Sequence, residues 1–310
     1  MPVINAAAGH PQASGNLTPN AIWSGTLIEE FFKATVFNLI ANTDHEEEIR
    51  EQGDTVKIRT TPRIASRPYQ KGQKLKLDRP KVGVEELVIS EARYFNIAQE
   101  YVDSYQSDLD YIPDWIQSAA MSLRVDIDGD VIQGVPTDAH ADNKGTTAGK
   151  ESQDINLGDT GAPVVTTEAN IISQIINMGL VLDEQNVPDD DRYIVAPPWW
   201  LAKLKGSDLK DASMTGDPQS LLRAGNIGSF ENFNLFRSNN LLKQTDSGNK
   251  VTSVIFGQKS ALTFAAQITE TEGPITLPDE FGKVYRSLAA YGFKVIKPEA
   301  FGRLYTVKGS

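Results

Sequence analysis

Between residues 55 and 83, nine of the ten charged side chains are basic: Lys57, Arg59, Arg63, Arg67, Lys71, Lys74, Lys76, Arg79 and Lys81, against Asp78 alone. The same stretch holds Pro62, Pro68, Gly72, Pro80 and Gly83 and little hydrophobicity, so it cannot be core. β-like runs stand on either side. Residues 55–61 alternate, with Val56 and Ile58 facing one way and Lys57 and Arg59 the other, as in a half-buried strand. Residues 84–98 carry Leu87, Val88, Ile89, Tyr94, Phe95 and Ile97. The loop between them is about 22 residues long, a length that in compact domains is functional or disordered. A two-stranded ribbon is marginal by itself in water, so this one needs another surface to lie on.

The remainder of the chain has the opposite charge. Over 310 residues, 30 Lys and Arg stand against 41 Asp and Glu, a formal charge of −11. A basic projection on an acidic body is a complementary pair, and a loop that cannot fold back on its own body can reach a neighbour's. The plainer reading of the same composition is a solvated surface loop. The acidic balance argues against general nucleic-acid binding, which needs a net basic face.

Other classes fall by composition. Cysteine is absent, which removes disulfides, thiolate nucleophiles and thiolate metal sites. The three histidines, His10, His45 and His140, lie far apart in unrelated contexts, against a His-built zinc site or triad. No run approaches 18 apolar residues, so no membrane span is expected. Residues 1–5 lack a basic region followed by an apolar one, so the expectation is a protein made and kept in a cytoplasm.

Along the chain, residues 1–20 are rich in Ala, Gly, Asn and Pro and read as an extended arm. Residues 21–42 carry Ile22, Trp23, Leu27, Phe31, Val36, Leu39 and Ile40 at helical spacing. The strongest helix is predicted over 108–133, where Ile112, Ile116, Ala119, Leu123, Ile127 and Val131 recur every three or four residues. Asp108 or Asp110 can cap it, Pro113 is tolerated in its first turn, and Gly134 can end it. Residues 135–165 read as loop. A helix over 168–182, a buried strand over 192–196, a helix around 199–205 and a mixed stretch over 206–229 follow. Strand-like runs then cover 233–238, 251–256, 263–268, 284–291, 293–296 and 304–307. This order defines an α+β chain, not an alternating βαβ series.

Three motifs invite chemistry. Asp126-Ile127-Asp128-Gly129-Asp130 suggests a calcium loop, but position 6 is Val131 and position 12 is Thr137, so it reads as a solvated helix end. Gly145-Thr146-Thr147-Ala148-Gly149-Lys150-Glu151 has three residues between its glycines and Glu151 after the lysine, so it reads as a flexible surface loop rather than a phosphate loop. Asp189-Asp190-Asp191 reads as a solvated turn. Trp23, Trp115, Trp199 and Trp200 default to core or interface packing, and no GxSxG elbow is present. No catalytic, metal or cofactor residue is assigned.

The order of elements and several short stretches resemble the major capsid protein of tailed bacteriophages, the HK97-like fold. Ile22-Trp23-Ser24 and Gln52-Gly53-Asp54-Thr55-Val56-Lys57-Ile58 resemble that family's N-arm leading into its extended loop. The 108–133 helix resembles its spine helix. Val195-Ala196-Pro197-Pro198-Trp199-Trp200-Leu201 is similar to the strand-to-helix step of its axial domain, and Gly228 with Phe233-Asn234-Leu235-Phe236-Arg237-Ser238-Asn239-Asn240 to its glycine-then-strand stretch. Tyr291-Gly292-Phe293-Lys294-Val295-Ile296-Lys297-Pro298-Glu299-Ala300 resembles its closing strand.

The resemblance implies an N-terminal arm over 1–50, an extended β-hairpin loop over 51–100, and a peripheral domain with the spine helix over 101–165. It also implies an axial domain over 166–280 and C-terminal strands over 281–310 that return to the peripheral domain. It implies a subunit that self-assembles as hexamers and pentamers into an icosahedral head, in the virion, around double-stranded DNA held without specific binding. Assembly belongs to the host cytoplasm and involves no cofactor. Residues expected between subunits are Arg63, Arg67, Lys71, Lys74, Lys76 and Arg79 of the extended loop and Ile22 and Trp23 of the arm. With only about 20 residues before Trp23, too few for a scaffolding extension, a separate scaffolding protein is expected, with a portal, and a decoration protein is left open. The alternatives are an encapsulin-like compartment shell, another virion structural protein, or an enzyme marked by a convergent polar pocket.

Overall fold

The computed structural model describes residues 35–43, 55–60, 64–81, 83–101, 112–207, 229–276 and 280–309. The arm over 1–20, Ile22, Trp23, Arg63, the helix caps Asp108 and Asp110, and most of the 206–229 stretch lie outside the described residues.

The chain enters through a single helical turn, α1 (Phe37–Ile40). An antiparallel ribbon follows, β1 (Thr55–Thr60) against β2 (Gly83–Val88), with Thr55 opposite Val88 and Thr60 opposite Gly83. The run read as one strand over 84–98 is two, because β3 (Glu91–Glu100) leaves the ribbon and pairs elsewhere. The break has a physical cause in β11 (Gly282–Val295). The Val88 carbonyl crosses β11 at Gly292, where a Cβ would stand 2.2 Å from that oxygen. Only glycine allows backbone to lie so close on backbone.

The long helix α2 (Ile112–Gly134) has 23 residues and so is about 34 Å long. Gly134 is its last residue, and the chain continues into a tight turn over Val135–Asp138. A Cβ on Gly134 would meet the Phe293 ring at 2.7 Å, so glycine is needed there for packing.

Three strands, in the order β10 (Leu262–Thr276), β11, β3, form one antiparallel sheet. The two runs expected over 284–291 and 293–296 are the single strand β11, and β10 extends past the expected 268 through two register shifts. The larger sheet has seven strands. Its path runs β4 (Val164–Thr166), β12 (Phe301–Lys308), β9 (Asn249–Gln258), β5 (Arg192–Ala196), β7 (Phe233–Arg237), β6 (Ser229–Phe230), with β8 (Lys243–Asp246) beside β9. Strand pairing therefore crosses the 280/281 boundary in both directions: β10 joins the sheet of β11, while β12 joins the larger one.

Helices α3 (Ile171–Glu184) and α4 (Pro198–Gly206) match the two expected after residue 165. One apolar cluster runs from Val36, Phe37 and Ile40 through Val131 and Ile132 of α2 to Ile175 of α3, Trp200 of α4, Phe256 of β9 and Leu304 of β12. Burial of each such large side chain contributes about 1.5–3 kcal/mol.

Two sequence readings are corrected here. The 145–151 stretch is not a flexible surface loop: bridges join Gly145 to Gly158 and Ala148 to Ile155, and Ala148 is buried. Glu184 accepts hydrogen bonds from the backbone N–H groups of Glu151 (2.8 Å) and Ser152 (3.3 Å), which tether the loop to α3. Nor is Asp189 simply solvated. It pairs at 2.8 Å with Arg192, whose side chain is only 3% exposed and also donates to Asp183, Val187 O and Pro188 O.

Candidate assembly surfaces

The ribbon has a seated root and a free tip. At the root, Ile58 and Leu87 are buried against Ala265 of β10, with Ile89 and Ile296 beside them. Lys294 of β11 donates to Glu85 at 2.8 Å and to the Glu86 carbonyl at 3.1 Å, and Lys57 pairs with Glu86 across the ribbon at 3.3 Å. The surface the ribbon needs is thus, at its base, its own subunit's.

Beyond the root, every residue over 64–81 is exposed. Arg67, Lys71, Lys74, Lys76 and Arg79 all lie on this tip. Arg67 donates to Asp78 at 3.0 Å within the loop. Among the described residues, Lys71, Lys74, Lys76, Arg79 and Lys81 have no ion-pair partner. Interleaved with these cations are Ile64, Tyr69, Leu75 and Leu77, the last two 83% and 79% exposed. Composition shows the charge of the loop; the four exposed apolar side chains are the part its hydropathy understates. Leu75 and Leu77 stand two apart, as on one side of an extended segment.

A second surface surrounds residues 35–43, where the chain from the expected arm enters the body. Asn42 N–H donates to Leu262 O (2.8 Å) and Phe264 N–H to Asn42 O (2.9 Å), so the segment adds a bridge to the edge of β10. The Phe37 ring packs on Phe264 at 4.9 Å between centroids.

The spine helix carries carboxylates the sequence reading left in solvent. Asp126 is exposed, but Asp128 is fully buried and Asp130 is engaged at the sheet. Arg93 of β3 grips Asp130 through two hydrogen bonds of 2.9 and 2.7 Å, and the Tyr291 hydroxyl donates to the same carboxylate. Burial pushes the Asp130 carboxyl up, but the bonds from Arg93 and Tyr291 outweigh it and hold the group below the usual carboxylate range. Burial first, then the neighbouring Asp130, raises the Tyr291 phenol. Asp128 and Asp130 are two residues apart, about 200° around the helix, so one faces away from the other. No group of three metal-ligating side chains is found among the described residues.

A basic, apolar-studded tip held out from a ribbon, a long helix against a three-stranded sheet, and a second larger sheet match the elements that the capsid resemblance implies. The chain belongs to the phage capsid protein family, whose profile matches residues 85–304. It is a structural component of the virion rather than an enzyme. Its fold is HK97-like. It is similar to the structure from Mycobacterium phage Che8, at 24% identity and a TM-score of 0.72 over 91% of this chain and 95% of that one. It is also similar to the capsid structure of Cyanophage P-SCSP1u, at 15% identity and a TM-score of 0.69 over 98% and 97%. The mature capsid of bacteriophage PhiM1 aligns at 13% identity with a TM-score of 0.64 over 91% and 90%. No curated protein sequence matches the chain.

Proposed function

We propose that copies of this chain join as hexamers and pentamers and close into an icosahedral head around double-stranded DNA, each copy laying its basic loop over a neighbour. The observation that carries this reading is the tip at 64–81, exposed along its whole length, cationic, and set with Ile64, Tyr69, Leu75 and Leu77. An exposed surface of this kind needs a partner, and the net charge of −11 makes further copies of the same chain a complementary one. Ring contacts of this sort are heterologous, and many weak ones sum through high effective concentration. The acidic chain encloses DNA without binding it specifically.

In this reading the arm expected over 1–50, with Ile22 and Trp23, reaches a further subunit from the point where residues 35–43 dock on the body. Residues 51–100 carry the extended loop, formed by β1, the tip and β2 while β3 joins the three-stranded sheet, and 101–165 is the peripheral domain, 166–280 the axial domain and 281–310 the closing strands. A separate scaffolding protein and a portal complete assembly in the host cytoplasm. The test is charge reversal of Arg63, Arg67, Lys71 and Lys74 together. Shell formation is expected to stop, by negative-stain electron microscopy, while the isolated subunit keeps its melting temperature. Normal shells from that variant would remove the role assigned to the loop.

A further inference from the structure

Asp128 is 0% exposed, and among the described residues none of the groups bonded to it carries a charge. One oxygen accepts the backbone N–H groups of Val36 (2.7 Å) and Phe37 (2.9 Å). The other accepts the side-chain amide of Asn240 at 2.5 Å. The Asn240 backbone is itself fixed: its N–H donates to Ser238 Oγ (3.1 Å), and Gln133, just over a turn along α2, donates to its carbonyl (3.0 Å). A buried carboxylate with only neutral donors is costly to keep, and an apolar side chain would serve the core better. What the carboxylate provides is geometry. It joins the segment that follows the arm, the spine helix, and the loop leaving β7.

We propose that Asp128 is a positioning residue for assembly: it fixes where the arm leaves the subunit, and it does so only while Asn240 holds its second oxygen. The inference rests on the reading that residues before 35 reach another subunit. The polarity of the pair makes the claim specific. In Asp128→Asn, the new amide oxygen can still accept from Val36 and Phe37, and Asn240 can turn its amide over to accept from the new NH2; Asp128→Leu instead leaves the Val36 and Phe37 N–H groups and the Asn240 amide without their acceptor. In Asn240→Asp, two carboxylates face each other. In the double variant D128N/N240D the amide now at position 128 donates to the carboxylate now at position 240, and every bond regains a donor and an acceptor.

The experiment uses the full-length subunit, with hydrogen exchange of the peptide covering residues 35–43 read before assembly and shell yield read by electron microscopy after it. In D128L, exchange at Val36 and Phe37 is expected to quicken about tenfold or more, the loss of a charge-assisted bond, and shell yield to fall. N240D alone is expected to do the same, and D128N/N240D to restore both readings. Unchanged exchange in D128L would overturn the clasp, and quickened exchange with normal shells would overturn its role in assembly. If D128L does not fold, the double variant set against N240D decides: recovery supports the pairing and continued failure overturns it. Deleting residues 1–20 separates the two readings. Normal shells from that deletion would sink the arm's role and leave the exchange result standing.

Discussion

Arg93 on β3 and Asp130 on α2 meet in a two-pronged pair, the guanidinium fork set against both carboxylate oxygens. This is the geometry in which arginine outperforms lysine. Because the Tyr291 hydroxyl shares the carboxylate, the helix is tied at one point to two adjacent strands of the three-stranded sheet. Both Arg93 and Asp130 keep contact with solvent, so screening limits what the pair contributes.

The Asp130 carboxyl titrates below the usual range in the folded chain, so its contribution is present at neutral pH, above the unfolded value of about 3.9. It is lost as pH falls through the folded value. Asp130→Asn is expected to lower subunit stability by about 1 kcal/mol at pH 7. The difference from the parent chain should shrink toward zero below about pH 4. Urea unfolding of both chains from neutral pH down into that acid range measures it, and a gap that persists at the acid end would contradict the assignment.

Gly292 lies under the Val88 carbonyl, 2.2 Å from where a Cβ would stand, with backbone rather than a movable side chain in the way. Gly292→Ala is expected to cost about 1–3 kcal/mol, the range for overpacking. Because the strain falls where the ribbon crosses β11, proteolytic cleavage near residue 90 should quicken along with the loss of melting temperature. A variant as stable and as resistant as the parent would show that the ribbon root can shift freely.

Leu75 and Leu77 are 83% and 79% exposed, so they bury little apolar area in the isolated subunit. Replacing both with serine is expected to leave unfolding within about 0.5 kcal/mol of the parent, as for surface changes in general, while shell yield falls. Reduced stability without an assembly defect would place these leucines against their own subunit instead.

Periodicity made much of the fold legible. The stripe from Ile112 to Val131 marks α2, the run over 192–196 marks β5, and the alternation of 55–61 marks β1. Gly292 looked like a break between two strands because a glycine in a β pattern signals interruption. The structure uses it instead to let another segment pass. Asp128 was illegible for a different reason. A stripe drawn through residues 127 and 131 leaves 128 on the margin, and a lone aspartate there reads as solvated. The apolar face is wider, since Ile132 and Val135 are also fully buried, and the partners of Asp128 lie 92 and 112 residues away, where no local pattern reaches. The loop was half legible: its charge is a composition, but which part is seated and which is free depends on Lys294 and Ala265, distant in sequence.

The seated root and free tip of the ribbon also divide labour mechanically. Ile58 and Leu87 on Ala265, and Lys294 on Glu85, set the ribbon's launch angle during folding, before any neighbour arrives. Each copy therefore presents its tip from the same seat, and in the proposed assembly a difference in curvature between copies falls on the exposed residues 64–81 rather than on the root. No side chain over 64–81 is buried, so in that assembly a change of curvature there leaves the packing of the core as it is.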